Sequence, residues 1–207
     1  MKRSDKVKEI IIKLKLRYPE VKCFLTYKHP YELLIAARLS AQCTDKRVNM
    51  VTPALFENFD SIDKFADADV TEIEEYIKTC GLYKTKAADL KEMCRQLRDE
   101  YNYEMPDSVE ELTKLQGIGR KTANLMVGDI FNKPAVITDT HVIRISNRLG
   151  LTKSDNPLVV EKDLRKVVPK EESRDFCHRL VKFGREVCIA RNPKCTNCEL
   201  IEYCIKK

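Results

Sequence analysis

Hydrophobic residues recur at helical spacing along most of the chain. Apolar side chains three or four positions apart begin near the amino terminus, at Val7, Ile10, Ile11 and Leu14. The same spacing returns further on, at Leu33, Leu34, Ala37 and Ala41. Alternating apolar and polar runs, which are typical of half-buried strands, are scarce. The pattern predicts an all-α protein.

Prolines and capping residues place the predicted helix ends. Pro19 is expected to end the first helix, and Pro30 to open a second ahead of residues 31–41. Asp45 is expected to cap a third helix, which Pro53 would bend or split. Further helices are predicted at about 70–78, 85–101, 108–114, 120–131, 140–149, 157–167 and 171–187.

Composition narrows the class of protein. Of 207 residues, 43% are hydrophobic and 34% charged, with 6 Gly and 8 Pro, which excludes collagen-like, low-complexity and wholly disordered chains. No apolar run approaches the roughly 20 residues of a membrane helix, and the first residues lack a signal-peptide hydrophobic block. We therefore expect the cytosol, including the nucleoid, and no membrane partner. The net charge of +6 favours a polyanionic partner without identifying one.

Nine cysteines carry candidate chemistry. An odd number without a secretion signal argues against a disulfide framework. Five lie among apolar neighbours and are interpreted as small buried hydrophobes: Cys23, Cys43, Cys80, Cys94 and Cys177. The other four, with one Cys-x-x-Cys pair between longer arms, are Cys188, Cys195, Cys198 and Cys204. Four such thiolates can wrap a tetrahedral metal ion or a cubane cluster, and zinc is compatible with the chemistry alone.

Residues 108–124 predict a short helix, a tight hairpin and a second helix. Gly117 and Gly119 permit positive φ and let bare backbone approach a ligand. The positive end of the second helix, followed by Arg120 and Lys121, is suited to a phosphate group. The segment therefore predicts a helix-hairpin-helix that grips nucleic-acid backbone without reading bases.

Lys121 and Asp139 each have two interpretations. The positive helix end and Arg120 both disfavour an ammonium at Lys121, so a neutral, nucleophilic amine is one interpretation. A phosphate contact is the other, and the residues alone favour it. Asp139 precedes a predicted helix and is a good N-cap, a role that leaves its carboxylate available for chemistry.

Several segments together resemble the endonuclease III family, the DNA glycosylase/AP lyases of the helix-hairpin-helix superfamily. They match in order at residues 39–42, 81–83, 117–123 and 139–144, and the cysteine tail completes the set. The resemblance implies a two-lobed all-α fold with a DNA cleft. Its central helical domain would span 21–133, with the helix-hairpin-helix at about 108–131. The iron–sulfur domain would comprise 1–20 and 134–207, with a cluster loop at 188–204 and a crossing at 132–136.

The resemblance also implies an activity. Lys121 falls on the Schiff-base lysine of bifunctional members, and Asp139 matches the catalytic aspartate. The expected reaction flips a damaged nucleotide out of the duplex, attacks C1′ with the Lys121 amine and nicks the strand 3′ of the abasic site by β-elimination. The implied substrates are oxidised pyrimidines in double-stranded DNA, within base excision repair. A monomer is expected.

Further site residues follow from the same resemblance. Gln42 and Leu82 are candidates to fill the hole left by the flipped nucleotide, although the sequence alone favours a core position for Leu82. His141 and Arg144 are candidate DNA contacts for which a supporting role is favoured. Basic residues near the cysteines would form a phosphate-binding knob: Arg185, Arg191 and Lys194. The four clustered cysteines match the family's [4Fe-4S] loop, for which a structural role is favoured.

Two departures and two rival functions accompany the resemblance. Gln116 stands where many members have proline, so the hairpin is expected to be less preorganised, by about 0.4–1 kcal/mol. Cys43 stands where alanine is common. One rival is a same-fold adenine or mismatch glycosylase, although such relatives usually lack lysine at the position of Lys121. The other is a non-catalytic DNA-binding module in which Lys121 only contacts phosphate.

Overall fold

The computed structural model describes residues 2–205, and within them regular structure is entirely helical, which confirms the predicted fold class. The α-helices are α1 (Arg3–Arg17), α2 (Pro30–Leu39), α3 (Asp45–Asn58), α4 (Ile62–Asp67), α5 (Val70–Ile77), α6 (Tyr83–Asp99), α7 (Val109–Leu112), α8 (Arg120–Asp129), α9 (Thr140–Arg148), α10 (Pro157–Val167) and α11 (Ser173–Glu186). Short 3₁₀ turns lie at Lys78–Cys80, Lys170–Glu172, Cys195–Asn197 and Ile201–Tyr203. No helix in this range is long and apolar enough to cross a membrane.

The chain divides into two compact units. One is continuous, Phe24–Phe131, and contains α2 to α8. Within it α6 packs against α4 and α5, and α2 packs against α3 and α8. Fully buried apolar side chains form its core, among them Leu33, Leu34, Phe65, Ile73 and Leu90.

The second unit joins the residues up to Cys23 with those from Asn132 onward, and contains α1 and α9 to α11. α11 packs against both α9 and α1. Gly184 allows α9 to approach α11 closely, because a Cβ added there would lie 2.6 Å from His141 Nδ1 and 2.9 Å from Ile145 Cδ1.

Local structure differs from the sequence-based expectation within the unit Phe24–Phe131. Pro53 lies inside α3 without splitting it, and the cap of α3 is Thr44, whose hydroxyl accepts the Arg47 N–H at 3.2 Å. α4 was not predicted; its short apolar face gives little periodic signal, and Ser61 caps it. The first helix of the hairpin motif is a single turn, Val109–Leu112.

Candidate active site and cysteine loop

The hairpin between α7 and α8 depends on one of its two glycines for its backbone shape. Gly117 has φ +73°, and a Cβ there would lie 2.7 Å from Arg38 Nε and 2.8 Å from Asp89 Oδ2. Gly119 has an ordinary φ of −92° and is the N-cap of α8. A Cβ on Gly119 would meet open space. The bare backbone at Gly119 therefore leaves the start of α8 accessible to a ligand.

Side chains of α2 and α6 hold the hairpin in place. Asp89 on α6 is nearly buried and accepts a hydrogen bond from Arg38 Nε at 2.8 Å. The same carboxylate accepts from Gln116 Nε2 at 2.8 Å, and the Gln116 backbone N–H donates to Gln96 Oε1 at 2.7 Å. Gln116 thus makes two hydrogen bonds that proline could not make, and these bonds act against the looser hairpin expected without proline.

Lys121 is the second residue of α8 and its side chain is exposed. It follows the hairpin directly, so its amine projects from the turn of α8 whose backbone N–H groups are not used within the helix. The site thus combines an accessible amine with anion-binding backbone.

Asp139 caps α9, as its sequence context predicts. Its Oδ1 accepts the Val142 N–H at 2.8 Å, and the residue is half-buried. One carboxylate oxygen is used in this cap, which fixes the position of the carboxylate at the start of α9. The other oxygen can interact with a developing positive charge.

Gln42 and Leu82 share an unusual backbone conformation. Their φ values are +53° and +48°, in the left-handed region that non-glycine residues seldom adopt. Both side chains are exposed, Leu82 to 55%. The interpretation of Leu82 as core is therefore wrong: the residue precedes α6 at a loop tip, where an apolar side chain faces solvent.

His141 and Arg144 hold α9 against the end of α11. Arg144 Nη2 donates to the Gly184 carbonyl at 3.2 Å, to the Cys188 carbonyl at 2.9 Å and to His141 Nδ1 at 3.1 Å. Arg144 Nε is buried and has no hydrogen-bond partner. This guanidinium is directed into the protein, which favours the supporting role over a phosphate contact.

The four carboxy-terminal cysteines line one cavity of about 180 Å³. Cys195 is exposed, whereas Cys188, Cys198 and Cys204 are half-buried. Within residues 2–205, no three His, Cys, Asp or Glu side chains converge closely enough to hold a single ion. Four thiols around one cavity could hold either a metal ion or a multi-atom cluster.

Arg148 was not identified from the sequence, although it lies one helical turn after Arg144. It lines the same cavity, and its Nη1 donates to Cys188 Sγ at 3.2 Å and to the Ile189 carbonyl at 3.0 Å. Its Nη2 donates to the Ala190 carbonyl at 2.9 Å. Arg148 thus joins α9 to the start of the cysteine loop with donors that would also stabilise thiolate charge.

The other basic and thiol side chains considered from the sequence fall into two groups. Arg185, Arg191 and Lys194 are exposed at the end of α11 and in the loop, where a phosphate group could reach them. Three of the five scattered cysteines are buried, as expected: Cys80, Cys94 and Cys177. Burial raises the pKa of the Cys94 and Cys177 thiols to about 12, so both are inert near neutral pH.

Comparison with known proteins agrees with this arrangement. Residues 35–170 match the model of the HhH-GPD superfamily base excision DNA repair proteins. Endonuclease III of Synechocystis is 43% identical over 98% of this chain and 93% of its own, and that of Bacillus subtilis is 42% identical over 90% and 86%. The chain belongs to the endonuclease III family.

A solved endonuclease III structure, a trapped covalent intermediate with DNA, matches the fold closely. Its TM-score is 0.94 at 42% identity, over 99% of this chain and 97% of that one. With this family membership, the protein is a DNA glycosylase and AP lyase of base excision repair. The endonuclease III resemblance seen in the sequence motifs is thereby confirmed.

Proposed function

We propose that Lys121 is the nucleophile of this glycosylase/lyase and that Asp139 is its catalytic carboxylate. The Lys121 amine attacks C1′ of the deoxyribose while the C1′–base bond breaks and the base leaves with its electron pair. Asp139 stabilises the oxocarbenium-like charge and assists proton transfer. The C1′–O4′ bond then breaks as the sugar ring opens and O4′ takes up a proton, which leaves an imine between Lys121 and C1′. This imine acidifies the C2′ protons, and loss of one of them breaks the C3′–O bond and expels the 3′ phosphate, which nicks the strand.

The exposed position of Lys121 at the amino end of α8 carries the proposal. A nucleophile must reach the sugar, and an exposed amine at a helix start beside a hairpin suited to phosphate is placed to do so. The similar endonuclease III trapped as a covalent intermediate with DNA supports covalent chemistry for this family.

The proposed substrate is double-stranded DNA that contains oxidised pyrimidines or abasic sites. The Gly117–Gly119 hairpin and Arg120 would bind backbone phosphate, and the exposed Arg185, Arg191 and Lys194 would also bind phosphate groups. Gln42 and Leu82 would fill the space of the flipped nucleotide. His141 and Arg144 would act indirectly, because they hold α9 against the end of α11. The protein would act as a monomer on DNA of the nucleoid.

The proposed cofactor is a [4Fe-4S] cluster held by Cys188, Cys195, Cys198 and Cys204. All four thiols line the same cavity, and Arg148 donates toward one of them. When bound, the cluster would supply iron–thiolate bonds that cross-link the loop. These bonds would hold the basic residues near the cysteines in fixed positions. No step of the reaction at C1′ is assigned to it.

Borohydride trapping on an abasic duplex tests the proposal. The unsubstituted protein should give a covalent adduct on a denaturing gel, and Lys121→Gln should abolish it while DNA affinity stays within about tenfold, because many other basic contacts remain. Lys114→Gln, on an exposed lysine of the same motif, is the matched control and should retain the adduct. Intact DNA binding without any adduct from the unsubstituted protein would instead identify a non-catalytic binding module.

A further inference from the structure

Lys86 on α6 is a fully buried lysine, with 0% of its surface exposed. Its ammonium donates to the Leu39 carbonyl at 2.8 Å and to the Cys80 carbonyl at 2.7 Å. Across the described residues no carboxylate lies within ion-pair distance of it, and burial lowers the pKa of its amine. The position is also in the first turn of α6, where a cation opposes the helix dipole. A lysine here is costly for folding.

The two carbonyls belong to the two segments that carry Gln42 and Leu82. Leu39 ends α2 three residues before Gln42, and Cys80 ends a 3₁₀ turn two residues before Leu82. The Lys86 ammonium therefore joins the bases of both loops through one atom. The side chains of Cys43 and Cys80 also lie near this ammonium.

Both loop tips adopt strained backbone conformations that need support. Gln42 and Leu82 have positive φ, and neither is a glycine. Such conformations persist only where the surrounding structure holds them. Gly81 lies between Cys80 and Leu82 and has φ +65°. Because glycine is flexible, the loop could change direction there without the hydrogen bond from Lys86 to the Cys80 carbonyl.

We propose that Lys86 is a positioning residue for duplex opening: it fixes the loops of Gln42 and Leu82 relative to one another, so that both side chains enter the DNA duplex together. This inference rests on the proposed insertion roles of Gln42 and Leu82. Lys86 touches neither DNA nor the reacting atoms. Its loss frees the two loops to move separately, so the duplex is opened poorly although the Lys121 chemistry is intact.

Lys91 offers a matched control on the same helix. Its Nζ donates to the Ala68 carbonyl at 2.8 Å, so it also joins α6 to another segment through a lysine–carbonyl bond. That segment is the end of α4, which carries no proposed DNA contact. A general loss of α6 anchoring should therefore affect Lys86→Met and Lys91→Met alike, whereas loop positioning concerns Lys86 alone.

The experiment uses full-length variants and a duplex with 2-aminopurine opposite a stable abasic analogue. Binding of the unsubstituted protein should raise the 2-aminopurine fluorescence as the orphan base is unstacked. Lys86→Met should lose at least half of that rise at saturating protein, whereas Lys91→Met should keep it. Borohydride trapping on an aldehydic abasic site should fall at least tenfold for Lys86→Met in a duplex but less than threefold in a single strand, which needs no opening.

Each outcome bears on the proposal. A full fluorescence rise with Lys86→Met, or equal trapping losses on duplex and single strand, would overturn it. Should the methionine variant fail to fold, Lys86→Arg keeps the charge and the donors in altered geometry, and its borohydride trapping should fall partially on the duplex alone. Trapping that is unchanged, or that falls equally on duplex and single strand, would contradict the positioning role. Absence of any adduct from the unsubstituted protein, with a fluorescence rise that still depends on Lys86, would refute the Lys121 chemistry and leave the positioning role supported.

Discussion

Gln116 Nε2 donates to Asp89 Oδ1 across 2.8 Å, and this bond ties the hairpin between α7 and α8 to α6. The opposite carboxylate oxygen of Asp89 accepts from Arg38 on α2. The hairpin backbone passes so close to this pair that position 117 has no space for a side chain. These hydrogen bonds hold the hairpin in place without a proline at position 116.

Replacement of Gln116 by proline should therefore destabilise the protein. Proline gains at most about 1 kcal/mol through the unfolded chain. It loses the bonds to Asp89 and Gln96, each worth about 0.5–1.5 kcal/mol. Urea denaturation should show Gln116→Pro less stable than Gln116→Ala, which keeps the backbone bond. A proline variant more stable than the unsubstituted protein would contradict this account.

Substitutions at Asp139 should separate its structural and chemical roles. Asparagine retains an oxygen that accepts the Val142 N–H, so Asp139→Asn should unfold near the temperature of the unsubstituted protein. Without the negative charge, turnover should fall by about 100-fold or more. Asp139→Ala should lose the cap as well, about 1 kcal/mol in urea denaturation. Full single-turnover activity of the asparagine variant would exclude the proposed carboxylate role.

His141 should make stability depend on pH below neutrality. Burial, the main cause, lowers its pKa below the usual 6.5, and the nearby Arg144 and Arg185 act in the same direction, against Asp139 and the Gly184 backbone. The unfolded chain then binds the proton more readily, so this contribution is present above about pH 6.5 and declines as the pH falls through the lowered pKa. Denaturation measured between about pH 7.5 and 5.5, a range that spans the ordinary histidine pKa, should show a smaller decline in the free energy of unfolding for His141→Gln than for the unsubstituted protein. An identical decline in both proteins would argue against a contribution from His141.

Arg148 should govern retention of the proposed cluster. Arg148→Met removes the donors to Cys188 Sγ and to the Ile189 and Ala190 carbonyls, so the loop start loses its connection to α9. Iron content and visible absorbance should then decay faster under a mild chelator. Arg191→Met, an exposed change in the same loop, is the control and should decay at the normal rate. Equal decay of all three proteins would show that Arg148 has no part in holding the loop.

The hairpin shows how far local pattern reaches. Its position, the helix starting at Arg120 and the need for a glycine at 117 are all predictable, because turns and helix starts depend on residues next to one another in the chain. The bonds from Gln116 to Asp89 and Gln96 span 20 or more residues, and no local signal predicts them.

The buried face of α6 includes a lysine. Lys86, Leu90, Met93 and Leu97 lie on one helical face, and all four are buried. Periodicity therefore places Lys86 in the interior, but the carbonyls that accept its hydrogen bonds are supplied by other segments. Leu82 is the opposite case, since hydrophobicity favours the core and the loop geometry exposes it.

The sequence by itself determined the helical class, the family, the hairpin and the grouping of four cysteines, because each depends on residue type and short-range spacing. Tertiary structure decided which polar side chains support those features: Asp89 beneath the hairpin, Arg148 beside the cysteines and Lys86 under the two loops. The physical reason is that a buried polar group must find its hydrogen-bond partner wherever the fold places one, and that partner is usually distant along the chain.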